Sequence, residues 1–211
     1  MVRESGSART ATNLSSRDVI LNAAHALIAD KGYDGMSVSD LCARSGLPAS
    51  SIYYHFGNKL GVLASLLERT SEELHALFPG PSAFDHLAPL KRFEAWFTAA
   101  CRTLDKRPDY LRLLVVVAVG PQKDDEAIRV TVQRIRDNAH ASWVSALTPI
   151  FAPKGRKADK ALVQKLAILG RAVVDGLAVA NSFDEISYSS EVASYLQLVS
   201  SLAELRGDAE K

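Results

Sequence analysis

The residues best suited to chemistry crowd into one run, Ser37 to Lys59, SVSDLCARSGLPASSIYYHFGNK. Ser50, Ser51, Tyr53, Tyr54, His55 and Lys59 are groups that hydrogen-bond phosphate oxygens or base edges, and a tyrosine ring also suits a thymine methyl. Their spacing calls for two short helices around a glycine turn. Ser37 with Asp40 is a capping-box pattern that starts the first helix. Leu41 belongs on its inner face, and Gly46 supplies the left-handed residue that ends it. Pro48 fixes φ at the start of the second helix, Ala49 to Phe56, which buries Ile52 and Phe56 at i and i+4. Ala49, Ser50, Ser51, Tyr53, Tyr54 and His55 are then left to face outward. So short a helix has no core reason to carry Tyr-Tyr-His. It has one if it lies in a DNA major groove, about 12 Å wide.

The elements around this run read as helices. A first helix from about Arg17 to Lys31 carries Val19, Ile20, Ala23, Ala24, Leu27 and Ile28 on one face, capped by Ser15 with Asp18 and ended by Gly32. Asn58 caps a longer helix from Lys59 to about Leu77, which the breaker Pro79-Gly80-Pro81 stops. Beyond it come amphipathic stretches through Leu90, Phe93, Phe97, Cys101 and Leu104, then Asp109–Val119, Asp124–Leu147, Ala158–Ser182 and Ser190–Arg206. Val115-Val116-Val117 has strand character, yet no second strand lies near to pair with it, so helix is expected. Between Leu166 and Ala180 only Gly170, Arg171, Asp175 and Gly176 interrupt an apolar surface. Such a helix needs cover on more than one face, and in a chain of 211 residues a second subunit is the simplest cover. Gly170, Ala172, Gly176 and Ala180 would let helices approach closely.

The run Gly46-Leu47 through Ser51-Ile52-Tyr53-Tyr54-His55-Phe56, followed by Asn58-Lys59, resembles the N-terminal DNA-binding domain of the TetR family of bacterial regulators. Ala23-Ala24 to Leu27-Ile28, Gly32-Tyr33 and Met36-Ser37-Val38 resemble that family's first helix and turn; the likeness covers residues 16 to about 70. Two positions depart from the pattern. Leu60 stands where an acidic residue is usual, and Ala49 where a polar or basic one often lies, which removes one possible base contact. The resemblance implies an all-α fold of about nine helices in three parts: a flexible arm at 1–15, a helix-turn-helix domain at 16–62, and an effector-binding and dimerisation domain at 63–211. It implies base contacts from Ser50, Ser51 and Tyr53 beside Ala49, with phosphate contacts from Ser37, Tyr54, His55 and Lys59. It also implies a cytoplasmic regulator, most often a repressor, bound to a double-stranded operator as a homodimer built through the last two helices.

A small-molecule effector is the expected input. Large aromatics beside small residues leave room between helices, and Phe93, Trp96, Arg102, Tyr110, Leu113, Val117, Trp143 and Asp175 are the candidate lining. Few polar groups lie among them, which suits an apolar or aromatic molecule with one or two polar groups better than a polyanion. Asp175 stands four residues from Arg171, so it either pairs with it along the helix or serves a ligand. The alternative is an architectural DNA-binding protein whose C-terminal helices bind a protein and no small ligand. A cavity of several hundred Å³ would separate the two.

Bulk properties constrain less. The net charge is +1, and residues 1–60 carry six Lys or Arg against five acids, so electrostatics alone does not call for nucleic acid. Placement matters more, since Arg3 and Arg9 lie in a polar arm suited to phosphates or a minor groove, while the basic loop at 152–157 reads as solvated. Five histidines show no HxxxH or HExxH spacing, and there is no GxSxG motif or phosphate-cradling glycine loop, so neither an enzyme nor a cofactor is expected. Cys42 and Cys101 suggest no disulfide framework and fit a reducing compartment, with a redox role held open. No secretory pattern precedes residue 16, and no uncharged apolar run approaches the ~20 residues of a membrane span.

Overall fold

The computed structural model describes residues 14–121, 125–152 and 158–208. These form nine α-helices and no strand: α1 Ser16–Gly35, α2 Val38–Ser45, α3 Ala49–Phe56, α4 Lys59–Leu77, α5 Pro89–Lys106, α6 Pro108–Val119, α7 Glu126–Leu147, α8 Lys160–Ala180 and α9 Tyr188–Asp208. A 3-10 turn, Pro81–Phe84, follows the breaker after α4. The polar arm with Arg3 and Arg9, and the basic loop at 153–157, lie outside the described residues. The chain divides into two compact units, Met1–Leu66 and Leu67–Lys211, with the division inside α4. The sequence places that boundary four residues earlier.

In the first unit α1, α2 and α3 pack on one another pairwise. The Ser15 hydroxyl caps α1 by accepting the Asp18 N–H at 3.1 Å. Gly32 leaves helical geometry with φ of 74°, and one more turn runs past it to Gly35. Ile20, Leu21, Ala23, Ala24 and Leu27 are buried, whereas Val19 and Ile28 are only half-buried. At α2 both halves of the capping box form: Asp40 N–H donates to the Ser37 hydroxyl at 3.1 Å, and Ser37 N–H donates to the Asp40 carboxylate at 2.8 Å. Lys31, 2.7 Å from that carboxylate, and the Ser37 bonds hold the Asp40 carboxyl well below the usual carboxylate range. Protonation in acid removes this cap, and the helix start is secure at neutral pH.

Gly46 ends α2 in the left-handed region, with φ of 71°, and Pro48 takes the N-cap position of α3. Ile52 is fully buried. Phe56, expected beside it in the core, is half-buried, with Arg17 lying over its ring at 5.6 Å. The joint between α3 and α4 is unusually close. A Cβ at Gly61 would stand 1.9 Å from the Phe56 carbonyl oxygen, and Asn58 caps α4 by accepting the Gly61 N–H at 2.8 Å.

In the second unit α5 packs along α9, α7 along α8, and α6 against α8. Asp105 at the end of α5 caps α9 from afar, accepting the Tyr188 N–H at 2.7 Å and bonding Ser189. α6 is a helix through Val115-Val116-Val117, with Leu111, Leu114 and Val117 inward. Phe93, Trp96 and Phe97 of α5, Trp143 of α7 and Tyr195 of α9 form one aromatic cluster. In it Phe97 and Trp143 approach to 4.9 Å between ring centroids, and Trp96 meets Trp143 edge-on at 5.3 Å. The Tyr195 hydroxyl satisfies itself on the Leu166 carbonyl at 2.6 Å. Burial, with Asp105 nearby, pushes the Cys101 thiol up to about 12. Both causes favour the neutral thiol over the thiolate. Cys42, next to the buried Leu41, is half-exposed.

Gly170 is not part of an exposed small-residue stripe. A Cβ there would meet the Trp143 ring at 2.3 Å, so the glycine is what lets this indole lie against α8.

Two substitutions test these close approaches. Gly61→Ala should destabilise the N-terminal unit by ~2 kcal/mol or more in denaturant titrations, because a backbone carbonyl cannot swing aside. Gly170→Ala should cost about 1–3 kcal/mol and shift the tryptophan emission as Trp143 is displaced. Unchanged emission and stability would show that the indole yields freely.

Candidate nucleic-acid interface and internal cavity

The outer face of α3 is built by subtraction. Ile52 takes the inward position of an eight-residue helix, and the remaining side chains have nowhere to go but out. Tyr53 is 53 % and Tyr54 85 % exposed. Ser50 and His55 are exposed, and Ala49 and Ser51 half-exposed. His55 is exposed and meets the Tyr54 ring edge-on at 5.0 Å, so it is not a core histidine. Lys59 begins α4, and its ammonium lies 4.1 Å above the Tyr33 ring. Among the described residues of this unit Lys31 and Arg44 are held by Asp40 and Asp30, while Arg17 and Lys59 rest over aromatic rings and keep their charge available.

Ser37 stands apart from this set. Its hydroxyl donates to the Asp40 carboxylate at 2.6 Å and its N–H to the same oxygen at 2.8 Å. Both of its donors are engaged in starting α2, so a phosphate could take one only by undoing the cap.

The second unit holds a partly open cavity of about 400 Å³ between α4, α5, α6, α7 and α8. Four of the sequence candidates line it: Trp96, Tyr110, Trp143 and Asp175. The others do not. Phe93 is fully buried in the aromatic cluster behind them, Arg102 is exposed, and Leu113 is half-buried away from the wall. Val117 borders a second, more open hollow of about 440 Å³ between α6 and α7. Sequence reasoning missed the end of α4 with its Pro79-Gly80-Pro81 breaker, and it missed Arg136 and Arg171, all of which line the cavity. Helical periodicity could have marked Arg136, which stands at i with Ala139 at i+3 and Trp143 at i+7 on the same face of α7.

Asp175 does not pair with Arg171 along α8 as the spacing proposed. It pairs with Arg136 of α7 at 3.0 Å, and Arg171 reaches instead to the Arg136 carbonyl at 3.4 Å. The Tyr110 hydroxyl bonds Ser71 at 3.4 Å, and burial raises its pKa. Among the described residues no cluster of three or more His, Cys, Asp or Glu is placed to hold a metal, and no helix is long and apolar enough to cross a membrane.

Comparison with known proteins points the same way. Residues 20–66 match the family model described as bacterial regulatory proteins, tetR family. The chain is 27 % identical over 85 residues to the HTH-type transcriptional repressor BepR of Brucella suis biovar 1 (strain 1330), covering 40 % of this chain and 41 % of that protein. It is 28 % identical over 76 residues to the HTH-type transcriptional repressor DhaR of Mycobacterium sp. (strain GP1), covering 36 % and 38 %. The matches thus span about two fifths of the length of these curated relatives. The fold extends further. A TetR transcriptional regulator from Legionella pneumophila superposes with a TM-score of 0.68 at 18 % identity, over 90 % of this chain and 99 % of that one. The transcriptional regulator FadR of Bacillus subtilis, solved in complex with stearoyl-CoA, does so with a TM-score of 0.61 at 18 % identity, over 86 % and 96 %. The helix-turn-helix thus lies inside the segment that matches the tetR-family model, and the fold of these solved regulators extends through most of the chain.

Proposed function

We propose that this chain is a sequence-specific DNA-binding transcriptional regulator, a repressor that holds a palindromic operator as a homodimer and is released by a small, mainly apolar effector. The observation that carries the reading is the bare aromatic and polar face of α3. An eight-residue helix that keeps Tyr53 and Tyr54 in solvent gains nothing for its own stability by doing so. In a major groove Ser50, Ser51 and Tyr53 reach base edges, while Tyr54, His55 and Lys59 reach flanking phosphates. Lys59 adds its charge to the N-terminus of α4, where backbone N–H groups already favour an anion.

The last two helices support the dimer. Ile168, Leu169, Val173 and Val179 of α8 and Leu198 and Leu205 of α9 are exposed apolar residues at helical spacing. Ala172 and Gly176 lie among them, exposed, with open space at Gly176 where a partner helix would approach. The cavity favours a small-molecule input over a C-terminal domain that binds only protein, because its volume falls in the range of ligand sites. Release follows if the effector prefers a dimer whose recognition helices no longer match major grooves about 34–36 Å apart. α4 is suited to carry that preference, since the helix that begins with Lys59 ends in the cavity wall at Leu74 and His75. A coupling of ~1–3 kcal/mol gives modest control.

Lys59→Ala should weaken binding to every sequence and lower the slope of log affinity against log salt by ~1. Equal affinity for the variant across a salt series would take Lys59 out of the interface. Gly176→Arg should turn the dimer into a monomer in sedimentation velocity, with operator affinity lost, because an unpaired charge enters the seam. A variant that sediments as a dimer would move the seam to another stripe.

A further inference from the structure

The lining of the cavity is uneven in charge, and that unevenness names a ligand class. Most of the wall is apolar, with Trp96, Phe97, Leu111, Leu114 and Trp143 prominent. Its charged end is made by Arg136 of α7 with Arg171 and Asp175 of α8. One carboxylate serves two guanidinium groups there: Asp175 is 3.0 Å from Arg136, and Arg171 makes only a long bond to a carbonyl at 3.4 Å. Three other polar side chains of the wall are engaged with the protein itself. Tyr110 bonds Ser71, His75 bonds the Ser71 carbonyl at 3.2 Å, and Ser142 bonds the Asn138 carbonyl at 3.1 Å. The Arg171 guanidinium, with five N–H donors, is thus the least satisfied cation facing the apolar space.

We propose that the cavity takes an amphipathic molecule bearing a single negative charge, a carboxylic acid, with its carboxylate on Arg171 and Arg136 and its apolar body against Trp96 and Trp143. The proposal rests on the reading of this cavity as the effector site and adds the chemical class. Arg171 offers the planar fork that meets a carboxylate bidentately. Burial, then the like charge of Arg136, works against the charged form of Arg171, and Asp175 and Asp137 offset this in part; an incoming anion relieves both. Asp137 is itself exposed on α7 and hydrogen-bonded by Gln133 at 2.8 Å. A polyanion finds too few cations here, and an amine meets the wrong sign. Arg136 and Asp175 border the second hollow as well, so a carboxylate that draws Arg136 from Asp175 has room for its polar end on either side.

The chain carries two tryptophans, Trp96 and Trp143, and both line the cavity, so quenching of their fluorescence reports occupancy. Acid, alcohol and amine of the hexyl and decyl series differ only in the head group. The acid should bind tighter than its alcohol and its amine by at least about tenfold. Arg171→Gln should bring the acid down to the alcohol's level, and Asp175→Asn should move it the other way, tightening the acid by several-fold. Arg171→Lys replaces the glutamine variant if circular dichroism shows the latter unfolded, and should keep a reduced preference. An alcohol that binds as well as its acid, or a preference that survives in both Arg171→Gln and Arg136→Gln, overturns the charge assignment and leaves the effector site standing. Failure of all six compounds to quench the folded protein overturns the site and the ligand class together. Acid that binds with the stated preference but does not release operator DNA supports the ligand class and removes the effector role.

Discussion

An α-helix of eight residues does not persist in water unaided, since isolated helices below ~12–15 residues are marginal. α3 is such a helix, and every proposed base contact is mounted on it. It is held by the burial of Ile52 between α1 and α2 and by its two ends. At the entry Gly46 turns the chain in the left-handed region and Pro48 fixes the first φ. At the exit α4 starts so close to the Phe56 carbonyl that only glycine fits at position 61. Because these supports are all backbone geometry and one inward side chain, the outer face is left free to be chosen for recognition. Tyr53, Tyr54 and His55 occupy it without loss to the core.

The C-terminal unit shows the opposite balance. Its core is built on an aromatic cluster whose rings meet in stacked, tilted and edge-on pairs. Gly170 lets Trp143 sit against α8, and the cavity remains on the other side of the same ring. Half-buried next to it are Arg136, Arg171 and Asp175, and burial works against the charged form of Arg171. An incompletely paired cation beside an apolar void is costly in the free protein and is relieved by an anion. A ligand that repacks this end can favour one arrangement over another only by the difference in its affinity for the two.

What the sequence made legible was local. The capping box at Ser37 and Asp40, the Ser15 cap and the bounds of α3 depend on residues three to eight apart, and the pattern of types states them directly. The helix through Val115–Val117 followed from the lack of a pairing strand. What stayed hidden depends on which helices meet. Asp175 has Arg171 at the right spacing on its own helix, yet Arg136 from α7 takes it. Phe93 and Arg102 share α5 with Trp96, but rotation about the helix axis sends one into the aromatic cluster and the other to solvent. Gly170 and Gly176 look alike in a small-residue stripe, six residues apart on α8; the first faces an indole and the second faces open space. Cap chemistry showed that Ser37, a natural phosphate donor by type, is already committed.

The central claim is that α3 reads DNA from the major groove in two places at once. Methylation interference tests it directly, on a fragment selected from random sequence by the whole 211-residue chain. Guanine N7 lies in the major groove and adenine N3 in the minor groove, so one reagent separates the two modes. The account predicts interference at guanine N7 in two clusters about one helical turn apart, or a small multiple of it, related by two-fold symmetry. Interference confined to adenine N3, or a single cluster with no symmetry mate, would contradict it.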